Sequence, residues 1–241
     1  MNMSRKLLSR IYLSAFLSAG ASIGGWAITS RFAGDVAAAS FLYLSIPIVI
    51  GVLVLQAVLF MNIKDRVCHL VLFNIVSAFG VLWMMFCLVL PLLWMDSIYM
   101  SVRIVIFCAA LLLFYLNIIK GLRNFRLRWG NIGRALLGKH YKSDRGLIAW
   151  EEVIGSLKLS ISFHVPGIPQ KLEPILSVVL VISMLAGLSL RKIFPTFSIF
   201  AWSIPSLICI ATILQIVGAA LGQYFVLREL EKKDKTTIHF A

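Results

Sequence analysis

The stretch "FLYLSIPIVIGVLVLQAVLF", residues 41–60, has no charged side chain, and its one amide is Gln56. A helix of this length rises about 30 Å, the thickness of a bilayer's hydrocarbon core. A soluble core rarely needs so long an unbroken apolar run, so this segment assigns the chain to the membrane. Five further stretches have the same character. Together the six runs fall near 11–30, 37–61, 70–94, 98–119, 174–193 and 198–227. The fifth is the shortest, because Arg191 and Lys192 close it; both can reach outward to the interface. The start, "MNMSRKLLSR", is basic but leads into a long run without a clean small-residue cleavage site. It reads as the entry to the first span rather than a removed signal peptide.

Composition agrees. Of 241 residues 60% are hydrophobic and only 14% charged, against about 25% charged in ordinary soluble domains. The net charge is +13, which in a soluble protein would point to nucleic acid. Here its placement accounts for it. With the N-terminus put in the cytoplasm, every Lys and Arg falls on the cytoplasmic side except Arg31, Arg103, Arg191 and Lys192. That asymmetry is the positive-inside pattern and requires an even number of spans. No nucleic-acid partner is expected, since the basic loop carries no binding motif. The expectation is an all-α polytopic protein of about six transmembrane helices with both termini cytoplasmic, and the bacterial cytoplasmic (inner) membrane as its location. Residues 1–119 hold spans one to four, 120–173 a cytoplasmic loop, 174–227 spans five and six, and 228–241 a charged cytoplasmic tail.

The loop has two halves. In the first, Leu122, Phe125, Trp129, Ile132 and Leu136 recur at gaps of three and four, with Arg123, Arg126, Arg128 and Arg134 mostly off that stripe. This pattern predicts a basic amphipathic helix. Either it lies on the inner leaflet, with Arg123, Arg126, Arg128, Trp129 and Arg134 against anionic lipid head groups, or it extends the fourth span and packs on its neighbours. In the second half, Leu157, Leu159, Ile161, Phe163 and Val165 alternate with Ser156, Lys158, Ser160, Ser162 and His164. A period of two predicts a strand over 155–165 with one buried face. A lone strand is marginal in water, so it needs an edge to pair with: residues 147–153, a second copy, or another protein. Trp150, Glu151, Leu157, Leu159, Ile161 and Phe163 are therefore the candidate docking residues for a partner subunit or a homo-oligomer.

Inside the spans the polar inventory is short. Gln56, Asn74, Asn117 and Gln215 either bridge helices or line a lumen, and Arg103 enters the start of the fourth span. An intramembrane Arg either reaches the interface or pairs with an acid, and Asp96 and Asp35 at the outer edge are the candidates. Gly20 with Gly24, and Gly218 with Gly222, are GxxxG pairs that let another helix approach closely. Cys68, Cys87, Cys108 and Cys209 have no metal-ligand spacing, and three of them lie in apolar runs as small hydrophobes. No catalytic set, metal motif or phosphate loop is present, so no catalytic, metal or cofactor-binding residue is assigned. Two readings follow. The first is a non-enzymatic membrane subunit or anchor of a larger complex, docking a cytosolic partner or its own copies through 120–173. Such subunits serve in secretion, conjugation, export and phage defence, and the residues make no choice among these. The second is a small-solute channel or permease subunit with the four amides facing a lumen. A shared face for the amides favours the channel; separate partners favour the anchor.

Overall fold

The computed structural model describes residues 3–63, 66–142, 146–159, 165 and 169–240. Six helices are long and apolar enough to cross a membrane. Helix α1 is Met3–Ala33, α2 Asp35–Asn62, and α3 Val67–Val89, extended by a 3-10 turn over Leu90–Leu93. Helix α4 is Met100–Arg128, α7 Glu173–Leu190 and α8 Pro195–Asp234. All six apolar runs of the sequence are helical. Gly34, at φ 85, makes the tight turn between α1 and α2, a backbone state that costs glycine little.

Two packing units share a wall. Helices α1, α2 and α3 form a triplet, while α8 packs on α3, α4 and α7. Helix α8 is the most enclosed of the six and α7 the least. Because lipid is as apolar as leucine, close van der Waals fit and polar bridges hold such helices together. Small residues accordingly mark the contacts. A Cβ on Gly218 would stand 2.1 Å from the Ile118 carbonyl oxygen, and one on Gly121 2.1 Å from that of Gln215. These reciprocal approaches bring the α4 and α8 backbones against each other. Gly222 admits the ring of Phe125 in the same seam.

Beyond α4 the chain does not form a separate surface helix. It runs through a π turn, Trp129–Gly133, into α5, Arg134–His140. This segment extends the fourth span and packs on its neighbours. The apolar stripe faces inward: Phe125 is fully buried, and Trp129 stacks on it with centroids 5.9 Å apart. Gly133 leaves the space over which the Trp129 ring lies. Trp129 therefore belongs to a protein core rather than to a lipid-facing surface. Arg123, Arg126, Arg128 and Arg134 are exposed around it.

Three two-residue strands follow: β1 Tyr141–Lys142, β2 Leu147–Ile148 and β3 His239–Phe240. Strand β2 pairs antiparallel with β1 and parallel with β3. The strand expected over 155–165 is not what its described part forms. Residues 150–156 make a short helix, α6, and Leu157 is its C-cap. The helical spacing of Trp150, Val153 and Leu157 places all three against the core. Glu151 and Glu152 occupy the favourable first turn. Lys158, at φ 45, then breaks any extended run. Ser160, Ile161, Ser162, Phe163 and His164 lie outside the described residues.

Candidate functional site

The intramembrane polar residues do not meet on one face. Gln56, with no exposed surface, lies in the α1–α2–α3 triplet. Its Nε2 donates to Ser14 Oγ of α1 at 3.1 Å and to Ser77 Oγ of α3 at 3.4 Å. Asn117 and Gln215 meet across the α4–α8 seam, where Gln215 Nε2 donates to Asn117 Oδ1 at 2.7 Å. Asn117 Nδ2 in turn donates to its own helix at Leu113 O. Asn74 accepts from Arg10 Nη1 at 2.9 Å at the edge of the bundle. Each amide has its own neighbours, in three places. The Asn117–Gln215 bond sits beside the two glycine contacts, so fit and hydrogen bond act on one seam. In a double-mutant cycle of Asn117→Leu and Gln215→Leu, read by unfolding in mixed micelles, we expect a coupling of about 0.6 to 1.7 kcal/mol. Strict additivity would show that the two amides do not interact.

Arg103 does not pair with Asp96 or Asp35. Its guanidinium caps the chain reversal between α3 and α4, donating from Nε to Ile98 O at 3.0 Å, from Nη1 to Leu93 O at 2.7 Å and from Nη2 to Met95 O. The 3-10 turn leaves carbonyls without helical partners, and a cation with several donors satisfies them together. Asp35 instead accepts from Ser30 Oγ at 2.9 Å. Arg103 is thus a structural clamp on a loop next to Leu92, Met95 and Ile98, all buried against Ile199 and Trp202.

Of the two GxxxG pairs, Gly218 and Gly222 are used within the chain, as described above. Gly20 and Gly24 face open space: a methyl group at either position would have no neighbouring atom within 4 Å. The buried glycine of that helix is Gly25, against Phe41 and Cys87. Gly121 is an essential contact without a GxxxG partner. The signal that could have found it is Asn117 four residues earlier, a polar and a small residue on one helical face. All four cysteines are free.

Two of the six candidate docking residues are buried inside the molecule. Trp150 is 3% exposed and Leu157 1%. Trp150 shares a core with Val67, Cys68, Val71, Ile148, Val153, Leu227 and Ile238. Trp150 also lies 5.9 Å from the Trp129 ring. Glu151 is exposed, Leu159 is half-buried, and Ile161 and Phe163 lie outside the described residues. The C-terminal segment closes this core from outside. The Ile238 side chain is fully buried, its carbonyl accepts from Val67 N at 3.1 Å, and His239 N donates to Gly146 O at 2.8 Å. Gly146, at φ 60, could not carry a Cβ without striking Thr237 O at 2.7 Å. Tyr141 Oη donates to Asp234 Oδ2 at 2.5 Å, and His140 Nδ1 contacts Glu152 Oε2 at 3.0 Å. These bonds lock α5, the sheet and α6 onto the ends of α3 and α8 as one cap.

Among the described residues, no three His, Cys, Asp or Glu side chains group as a metal site. Comparison with protein-family models, curated proteins and solved structures gives no match to this chain.

Proposed function

We propose that the protein is a non-enzymatic, multi-pass anchor subunit of a larger assembly in a cytoplasmic (inner) membrane, with the cap on the cytoplasmic side. The observation that carries this reading is the cap itself. The described first part of the longest connection between spans is folded onto the bundle. Its residues Ile148, Trp150 and Val153 are buried in one core with Ile238 of the C-terminal segment, which leaves a polar platform outside the bundle. A preorganised platform binds a partner without the ordering cost of a flexible loop. The orientation is supported by the Lys and Arg excess on that side. The channel reading loses its residues, because Gln56, Asn117 and Gln215 are engaged between helices.

A cytosolic partner would dock on exposed platform residues such as Lys139, Lys142 and Ser156, not on the buried apolar ones. The test is affinity purification in mild detergent of wild type beside a variant carrying Lys139→Glu, Lys142→Glu and Ser156→Arg. All three side chains lie at the surface, so the fold should persist, as checked by size exclusion. We expect one stoichiometric protein to be retained by wild type and lost from the variant. Identical profiles from both, or no stoichiometric protein with wild type, would reject docking at this platform.

A further inference from the structure

A slot runs between α3 and α4 in the half of the bundle away from the cap. Both helices pack closely on α8 but hardly on each other, so a gap is left between them. Arg103, Ile106, Ala110 and Phe114 of α4 line it at gaps of three and four, one face of the helix. Val89 of α3 lies opposite, and Leu207 of α8 contributes the wall where the two helices diverge. Phe86 and Phe114, edge to face with centroids 5.9 Å apart, close the end nearer the cap. Over Arg103 to Phe114 the helix rises about 16 Å. The cavity has a volume of about 60 Å³, room for roughly four to six water-sized groups. Every lining side chain except Arg103 is apolar.

These dimensions choose among occupants. Water finds no partner in an apolar cavity, which stays dry. A partner helix is about 10 Å across, too wide to enter. A single hydrocarbon chain fits. Phe107 and Leu111, which also line the slot, are exposed, so it opens sideways to the hydrocarbon that surrounds the spans. Arg103 decides what such a chain carries at its end. Its guanidinium uses three of five N–H groups on the carbonyls of Leu93, Met95 and Ile98. One N–H on each of Nη1 and Nη2 remains, and no carboxylate pairs with this cation among the described residues. A cation at the end of an apolar slot complements an acidic group at the end of a hydrocarbon chain. We infer that the slot holds one acyl chain of a phospholipid, with the lipid phosphate on the remaining N–H groups of Arg103. The chain gains contacts from three helices that bulk lipid does not offer, and the phosphate accepts charge-assisted hydrogen bonds. The inference is independent of the anchor reading, since it concerns the opposite end of the bundle.

The test is photolabelling of the purified full chain in mixed micelles, with adducts mapped by peptide mass spectrometry. The probes are a phosphatidylglycerol with a diazirine midway along one acyl chain, and a diacylglycerol with the same chain. The phospholipid should label wild type at Ala110 and Leu207, which are only 7% and 9% exposed and turned away from lipid that merely surrounds the bundle. The diacylglycerol should label them about tenfold less, the scale of one charge-assisted hydrogen bond. Ala110→Leu, which fills the slot from within, should remove the adduct at Leu207 while circular dichroism stays helical. Wild-type adducts confined to outward residues such as Val105 and Leu112 would overturn the inference. Equal labelling by the two probes would overturn it too, as would a Leu207 adduct that survives Ala110→Leu. The first two outcomes are read on wild type, so they decide even where Ala110→Leu does not fold.

Discussion

Alanine at Gly121 and Gly218 together should unseat α4 from α8 and destabilise the protein by about 3 kcal/mol or more, the upper range for overpacking. The reason is what the new methyl groups would strike. In both cases it is a backbone carbonyl oxygen of the facing helix, 2.1 Å away. A flexible side chain could turn aside, but a carbonyl held in a helical hydrogen bond cannot, so the helices must separate. Separation also lengthens the Gln215–Asn117 bond between the two contacts and opens the Gly222–Phe125 contact one turn further on. The loss should therefore exceed that of either amide substitution. Gly20→Ala with Gly24→Ala is the internal control. Those positions meet no atom within 4 Å, and alanine is the better helix former by roughly 1 kcal/mol. The control should be as stable as wild type or slightly more so. Denaturation in mixed micelles, followed by far-ultraviolet circular dichroism, measures both. If the Gly121/Gly218 variant proved as stable as wild type, the close approach of α4 and α8 would be refuted.

The contrast between these glycine pairs shows how far the sequence could be read. GxxxG states that a helix face is smooth, but not what lies on it. The pair at 218 and 222 is buried in the chain's own seam, while the pair at 20 and 24 is open. The spans themselves were legible because hydrocarbon imposes a length rule on every one of them. The amides were legible as a set, but their partners were not, since Ser14, Ser77 and Arg10 come from helices distant in sequence. The cap was the least legible part. Its strands have two residues each, too short for a period of two to register. The alternation that did register, from Leu157 onward, competes with the helical spacing of Trp150, Val153 and Leu157. In the described residues burial of that helical face prevails. Ile238 and Phe240, apolar residues beyond a charged run, were the available sign that the C-terminal segment returns to a core.

Ile238→Asp should release that cap while leaving the six spanning helices intact. The wild-type side chain is fully buried among Val67, Ile148 and Val153. A carboxylate there must either ionise in an apolar site or remain protonated at neutral pH, and both are expensive. The chain can escape by lifting residues 236–240 away. That breaks the Val67–Ile238 backbone bond, the pairing of β3 with β2 and the bond from His239 to Gly146. It also uncovers Trp150 and Val153 to water. Truncating Ile238 to Ala should cost about 2 to 4 kcal/mol, and the aspartate should cost more. The expected readout is limited proteolysis in detergent micelles. Wild type should resist cleavage between Gly146 and Leu157, and Ile238→Asp should be cut there rapidly. Helical circular dichroism should fall only slightly, because α1 to α4, α7 and α8 have their own seams. An unchanged cleavage pattern would mean that the C-terminal segment does not hold the cap. Global unfolding with the same protease would mean that cap and bundle form one cooperative unit. The packing makes the first of these results incompatible with a buried Ile238, and the second incompatible with seams that hold α1 to α4, α7 and α8 without the cap.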